Sequence, residues 1–341
     1  MADTPREGRG RPVTIKEVAE RAGVSTATVS RVTAGQGGAG AAVRRRVLKA
    51  VRRLGYSPNR IARNLRLRQR KVVGVVIPDL QNPFFTGIVV GIEEVLHAAQ
   101  YTLLIANADD RAEREADEIR ALRAEGAAGL LVIPSGSEAS VAESGGPVVA
   151  IDRSPSGWRG DLVKTANAEG ARQAVSHLIR LGHSRIALVN GPAHYDVARE
   201  RSEGFLAAMK TAGLSCPAAW RIDSDFRQAG GYESARRLLK GRERPRALFV
   251  TNALMTLGAL QAIHELRLRI PQDVAIVSFD DMPWAASLNP ALTAVAQPTR
   301  ELGRTAAQLL LERLADPARP GRQVVLPPTL VIRASCGAGP R

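Results

Sequence analysis

The sequence predicts two folds in one chain: an all-α N-terminal head of helix-turn-helix type, then an α/β core of two doubly wound subdomains. Three observations carry this. Residues 13–32, VTIKEVAERAGVSTATVSRV, write two short amphipathic segments around a glycine. From Val72 onward, short apolar runs alternate with longer amphipathic segments, the pattern of strand-helix units around parallel sheets. The charge also divides at this border. Residues 1–71 hold 18 Lys and Arg against 4 Asp and Glu, leaving 30 against 29 for the remainder of the 341 residues.

In the head, Thr14 followed by Glu17 is a capping-box pair, and Ile15, Val18 and Ala19 then recur on one helical face. Ala22-Gly23-Val24 supplies a tight turn in which Gly23 is free to take a positive φ, and Ser25 is placed to cap a second helix starting near Thr26. That helix turns Val29 and Val32 inward and Thr26, Ala27, Ser30 and Arg31 outward. In a helix-turn-helix of this kind the outward face meets base edges in the major groove. An ordinary helical hairpin would share the apolar pattern. The basic head favours the nucleic-acid reading, because a surface that neutralises phosphates must be positive and its affinity must fall with salt. Membrane-surface binding fits poorly, since no aromatic or strongly apolar face accompanies the charge.

The core elements follow in order. Strands are expected at VVGVVIP from Val72, TLLIAN from Thr102, GLLVIP from Gly129 and PVVAID from Pro147, forming one sheet. RIALVNG from Arg185, ALFVTN from Ala247 and VAIVSFD from Val274 form another, with helices such as 196–212 and 253–266 between them. The strands end in Pro, Asn, Asp or Gly, and ligands of open α/β sheets bind outside such carboxyl ends, often between two domains.

Length and a hydrophobic content of 45% allow two or three domains, each with its own core. No apolar run approaches the roughly 18 residues of a membrane span, and MADTPREGRGRP lacks a secretory signal, so a cytoplasmic location and no membrane partner are expected. Cys216 and Cys336 lie far apart without metal-ligand spacing and read as reduced structural thiols. His97, His177, His183, His194 and His264 are scattered, and no P-loop or nucleophile elbow is present. No catalytic residue, cofactor or metal is expected.

These features resemble the lactose-repressor (LacI/GalR) family of bacterial transcription regulators over nearly the whole chain. The head segment resembles the family's helix-turn-helix signature, LGYSPNRIARNLR its hinge, and IPDLQNPFF the opening of its ligand-binding core. RLGHSRIALVNGP, TNALMTLGAL, VAIVSFDD and VVLPPTLVIR complete the series in order. The resemblance implies a core like that of periplasmic sugar-binding proteins. It divides the chain into a disordered basic tail (1–12), a DNA-binding domain (13–56), a hinge helix and linker (57–71), and an effector-binding and dimerisation core (72–341). The first core subdomain is placed at about 72–164 and 294–324, the second at about 165–293 and 325–341.

For the DNA site, the resemblance assigns base contacts to Thr26, Ala27 and Arg31; Ser25, Thr28 and Ser30 are placed on phosphates, and Thr14 is counted among the DNA-binding residues. Arg31 has the fork geometry for a guanine edge. Tyr56 either touches phosphate or packs under the third helix. In the hinge, Ser57 and Pro58 open a helix of about two turns carrying Asn59, Arg60, Arg63, Leu65 and Arg66. So short a helix orders only against DNA and a partner's hinge, and Leu65 is implied to wedge into the minor groove; its alternative is a linker residue packing on the core. The head departs from the family at Ala34 and Gly40, usually Asn and a capping Ser. GQGGAG, 35–40, matches a dinucleotide fingerprint but follows a recognition helix rather than a strand, so it reads as a turn.

For the effector, the family positions are Phe84, Phe85, Asp152, Arg201, Phe226, Asn252 and Asp280. Acid, amide and guanidinium groups over aromatic rings suit the paired hydroxyls of a sugar. Arg201 with Asp280 as an internal ion pair, and Phe84 and Phe85 as plain core, are the alternatives. Ala253 and Ala166 stand where the family commonly carries Asp. The expected protein is therefore a ligand-controlled repressor, a homodimer on a near-palindromic operator. A transport solute-binding protein would share the core but have no use for the head.

Overall fold

The computed structural model describes residues 13–33, 39–56, 71–135, 145–241 and 243–337. The basic tail, most of the glycine-rich loop and the hinge, with Ser57, Asn59, Arg60, Arg63, Leu65 and Arg66, lie outside the described residues. The chain forms two compact units, Met1–Arg70 and Lys71–Arg341.

The head consists of α1 (Ile15–Ala22), α2 (Thr26–Thr33) and α3 (Ala41–Leu54). Thr14 caps α1, and the reciprocal capping box with Glu17 is complete. Gly23 then ends α1 in the left-handed region at φ 62°, which a residue with a Cβ resists. Val18, Ala19, Ala22, Val29, Val32, Val47 and Ala50 close a small core. Their small side chains let three short helices pack closely.

The core unit runs β1 (Val72–Ile77), α4 (Pro83–Ala98), β2 (Thr102–Asn107), α5 (Ala112–Ala124), β3 (Gly129–Val132), β4 (Val148–Ile151) and β5 (Asp161–Thr165). It continues through α6 (Asn167–Arg180), β6 (Ile186–Asn190), α7 (Asp196–Thr211), β7 (Arg221–Asp223), α8 (Gln228–Leu239), β8 (Ala247–Val250), α9 (Ala253–Glu265) and β9 (Ala275–Phe279). Last come β10 (Thr293–Ala296), α10 (Thr299–Ala315), β11 (Gln323–Leu326) and β12 (Thr329–Val331). One sheet has the order β11-β5-β4-β3-β1-β2, the other β12-β10-β9-β8-β6-β7. The first is parallel throughout, with Val76 of β1 facing Ala106 and Val132. In the second only β12 runs antiparallel, against β10. Helices cover both faces, so the interior strands β3, β4, β6, β8 and β9 are buried end to end and read as unbroken apolar runs.

Strand pairing moves two expected subdomain borders. Residues 294–296 belong to β10, which pairs with β9 in the second sheet, and 325–326 belong to β11, which pairs with β5 in the first. The chain therefore crosses between subdomains after Thr165, after Ala296 and after Leu326. The apolar run of β10 continues to Ala296 because it is needed in the sheet, and the crossing falls at Gln297-Pro298. Both cysteines are free, and Cys336 is buried between His177 (Nε2 to Sγ 3.4 Å) and Thr293 (Oγ1 to Sγ 3.2 Å). No helix among the described residues is long and apolar enough to cross a membrane.

Candidate functional site

On the head, α2 buries Val29 and Val32 and leaves Thr26, Ala27 and Arg31 exposed, with Thr28 and Ser30 partly so. Ser25 stands before the helix and accepts from the Thr28 backbone N–H at 3.2 Å, and the two hydroxyls lie 3.0 Å apart. Ser25 and Thr28 thus hold the helix start, presenting the short side chains of Thr26 and Ala27 with Arg31 one turn on. Thr14 is committed to its cap, with its backbone N–H 2.6 Å from Glu17 Oε2. Tyr56, which sequence left between two positions, packs against the three-helix core. At α3, Gly40 occupies the N-cap and contributes no side-chain bond, as its identity requires.

In the core unit, all seven sequence-named effector positions line one cleft, formed by loops and helix starts at the carboxyl ends of both sheets. Each is delivered by a specific local device. Asn82 caps α4, accepting from the Phe84 N–H at 3.0 Å, and so turns the aromatic pair Phe84 and Phe85 at the helix start toward the cleft. Their rings meet edge to face at 5.2 Å. Both side chains are also part of the hydrophobic core, so packing and cleft lining are joint roles. Asn252 caps α9 in the same way, accepting from Met255 N–H at 3.0 Å.

Asp152 and Asp280 follow β4 and β9 directly, and Phe226 follows β7; their φ values are 64°, 73° and 61°. Left-handed backbone is uncommon outside glycine, tolerated by Asp and costly for a bulky residue such as Phe. Three of the seven positions therefore carry backbone strain that re-aims a side chain at the strand end. Gly191 makes room for one of them: a Cβ there would lie 2.0 Å from the Phe226 ring.

The cleft gathers charge out of water. Arg201 is 3% exposed; its Nε donates to Asn167 Oδ1 at 2.8 Å and its guanidinium to the Thr251 carbonyl at 2.7 Å. It lies 3.9 Å over the Phe279 ring. Burial lowers its pKa, and Asp280 and Asp152 oppose that shift. Burial pushes the Asp152 carboxyl up to about 6, with Arg201 and Arg153 pulling the other way. Asp280 is also raised by burial, against Arg201 and the amide of Gln297, which donates to Oδ1 at 2.6 Å. Arg201 and Asp280 thus interact through the field while their hydrogen bonds go elsewhere, so they do not form the direct internal ion pair that sequence allowed. Asp152 Oδ1, Arg153 Nε and Gln297 Oε1 are buried without a hydrogen-bond partner among the described residues.

The structure adds residues that sequence reasoning missed. Arg153 donates to Asp110 Oδ1 at 2.6 Å and lies 3.9 Å over the Tyr195 ring, with Phe85 and Phe226 about it at 6.0 and 5.9 Å. The Tyr195 hydroxyl, pushed up to about 12 chiefly by burial, stays protonated and shares its one proton between Asp110 Oδ1 at 3.0 Å and the Ser135 carbonyl at 3.2 Å. Arg227 reaches Asp109 at 3.7 Å, and Lys164 reaches Asp196 at 3.1 Å and also Glu200. Tyr195–Asp110, Arg227–Asp109 and Lys164 with Asp196 and Glu200 join one subdomain to the other, whereas Arg153–Asp110 lies within the first. The one local signal was the adjacency Asp152-Arg153; the others come from separate loops.

At the two departures, the chain packs rather than pairs. Ala253 is buried with Phe84, Phe85 and Met282, an apolar contact between subdomains, and its backbone N–H approaches Asp280 Oδ2 at 3.4 Å. Ala166 caps α6 without a side-chain bond, and neighbouring Asn167 takes the polar role by bonding Arg201 and the Thr165 carbonyl (3.1 Å).

Comparison with known proteins matches residues 14–59 to bacterial regulatory proteins of the lacI family and residues 175–336 to a periplasmic binding protein-like domain. The chain is 34% identical over 327 residues to the ribose operon repressor of Escherichia coli K12, covering 94% of this chain and 99% of that one. It is similar in structure to the lac repressor dimer bound to operator and the anti-inducer ONPF, with 29% identity, 96% and 100% coverage and a TM-score of 0.86. The transcriptional regulator CelR in complex with cellobiose is also similar, with 31% identity, 95% and 100% coverage and a TM-score of 0.73.

Proposed function

The chain belongs to the lacI family of bacterial regulatory proteins, DNA-binding transcriptional regulators under small-molecule control, and from that premise we propose a cytoplasmic homodimeric repressor whose effector is a sugar held in the core cleft. The observation that carries the effector reading is the set of buried polar atoms without partners, Asp152 Oδ1, Arg153 Nε and Gln297 Oε1, facing one aromatic-lined cleft. A buried unpaired polar group costs about 1–3 kcal/mol, and a ligand that pairs with it recovers that cost. Sugar hydroxyls both donate and accept, so one ligand serves carboxylate, amide and guanidinium together. The cellobiose bound by the similar regulator is of this chemical class.

On DNA, two α2 helices enter successive major grooves about 34 Å apart on a near-palindrome. Arg31 reads a guanine edge, Thr26 and Ala27 pack on base edges, and Ser25, Thr28 and Ser30 lie along phosphates, with Thr14 holding the start of α1 beside the DNA. Asn59, Arg60, Arg63 and Leu65 take the minor groove between half-sites, with Tyr56 leading the chain toward them. Sugar binding favours one arrangement of the two core subdomains, whose three crossings act as the hinge, and operator affinity shifts by the difference in binding energy between arrangements. No chemical step is required of any residue.

The test is genome-wide binding of the tagged protein in its own cells, followed by titration of sugars handled by the neighbouring genes against the purified protein–operator complex. Palindromic peaks, with operator affinity moved about tenfold or more by one sugar, are expected. An absence of sequence-specific peaks across growth conditions would overturn the repressor reading, and operator affinity indifferent to every such sugar would overturn the effector class.

A further inference from the structure

The head carries a second basic surface that the recognition helix does not explain. An open hollow between α1 and α3 is lined by Arg21, Arg46, Lys49, Ala50 and Arg53, with no carboxylate and no residue of α2 among the described residues. All four cations are exposed. Neither Glu17 nor Glu20 of α1 is among the described residues that line it.

The construction of α3 is costly for the head by itself. AAVRRRVLKAVRRL has six basic residues and no acidic one. Arg46, Lys49 and Arg53 follow at helical spacing on one side, and Lys49 is three or four positions from Arg45, Arg46, Arg52 and Arg53. Like charges at such spacing destabilise a helix. The first turn has no acid to meet the macrodipole, and the Gly40 cap adds no side-chain bond. No carboxylate among the described lining residues offsets this repulsion. Arg52 and Arg53 in the last turn suit the negative end of the dipole, whereas Arg44, Arg45 and Arg46 near the start oppose its positive end with no local compensation; local rules broken in this way mark a candidate functional surface.

We propose that this α1–α3 flank binds phosphates of duplex DNA outside the contacts made by α2, so that the head has one face that reads sequence and another that holds the backbone whatever the sequence. The inference rests on the DNA-binding reading of the head. Duplex DNA is the occupant that fits: its charge density is about one per 1.7 Å of axis, and closely spaced cations bind it by releasing counterions. A membrane surface would call for an apolar rim, and the hollow has only Ala50. The consequence is a sequence-independent grip that keeps the protein on DNA while α2 searches.

The experiment measures full-length protein on an operator duplex and on a random duplex of equal length, across a salt series. Arg46→Gln/Lys49→Gln/Arg53→Gln is compared with Arg114→Gln/Arg180→Gln/Lys210→Gln, which removes the same charge from exposed positions of the core. The slope of log affinity on log salt should become shallower by about 0.9 for each phosphate no longer neutralised, near 2.7 for the head triple on both duplexes. The operator-to-random ratio should stay within about twofold, and the core triple should match wild type. A slope unchanged in the head triple, or a weakening equal to that of the core triple, overturns the proposal, as does a weakening confined to the operator. The single variant Arg53→Gln and a helicity measurement separate a weakened phosphate grip from a disrupted fold: a folded head that keeps operator discrimination with a shallower slope supports the proposal. If wild type does not distinguish operator from random duplex, the DNA-recognition reading fails; intact recognition with an unchanged slope in the triple sinks this proposal alone.

Discussion

Arg31 and Arg201 are two guanidinium groups assigned to recognition, and their surroundings are opposite. Arg31 projects into solvent from a two-turn helix over a core of valines and alanines. Arg201 is withdrawn between two sheets, bonded by Asn167 and Thr251, laid on Phe279, and faced by two carboxylates that burial has raised. The head works with charge kept in water, where salt screens it and a substitution costs little in folding. The core works with charge taken out of water, where every group needs a partner and its removal is felt by the fold as well as by the ligand. The left-handed backbone at Asp152, Phe226 and Asp280 belongs to the same regime, since only a well-packed surround maintains it.

The sharpest way to break this contrast is Arg201→Met. It leaves Asp280 buried without its nearby cation and Asp152 with Arg153 alone, so urea unfolding at neutral pH should show about 3–5 kcal/mol of lost stability together with lost sugar binding. A loss near that of a surface residue would place Arg201 in the solvated regime. The pH dependence comes next. Asp152 titrates at about 6 in the folded chain against 3.8 ordinarily. The folded state therefore holds the proton more tightly, and the effector-free protein should be most stable, as far as this group goes, below about pH 4. It should lose about 3 kcal/mol as pH rises through about 6. Sugar hydroxyls prefer the carboxylate, so effector affinity should rise over the same interval. Asp152→Asn should flatten both profiles, and profiles that keep their slope would assign the titration to another group.

On the head the effects are smaller and appear in DNA binding. Arg31→Ala should relax discrimination at one operator position by about 1–3 kcal/mol while leaving thermal unfolding nearly unchanged; an equal loss on operator and random DNA would refute base reading. Thr14→Ala removes the side-chain acceptor of the α1 capping box and should lower head stability by about 1 kcal/mol, seen in hydrogen exchange of the first-turn amides. Protection equal to wild type would show that Glu17 alone holds the helix start.

Much of this arrangement is legible in the order of residues because it is made by local rules. The capping box at Thr14, the glycine turn at Gly23 and the inward valines of α2 act within a few residues of one another. Strands buried on both faces announce themselves as apolar runs. β5 does not, because DLVKT places Asp161 and Lys164 inside a strand: Asp161 is fully buried and held by Arg313 and Arg319, and Lys164 bonds α7 of the other subdomain. The short strands β7, β11 and β12 lie at or near sheet edges and carry too little apolar pattern to be seen. In the cleft, Asp152 and Asp280 are visible as polar ends of apolar runs. Asp110, Tyr195 and Gln297 are not, since nothing near them in the chain signals that they meet.

The sequence by itself determined the basic head, its two-helix motif and the succession of strand-helix units, since each is written in spacing or composition, and the seven cleft positions through the family resemblance that its motifs carry. Only the tertiary structure decided where the chain crosses between sheets and that Asp110, Arg153 and Tyr195 form a bonded group over the aromatic rings. It alone also brought Arg21 of α1 beside the cations of α3. The physical reason is range: helix caps and strand burial depend on neighbours in the chain, whereas desolvation and ion pairing depend on which loops and helices the packed core brings together.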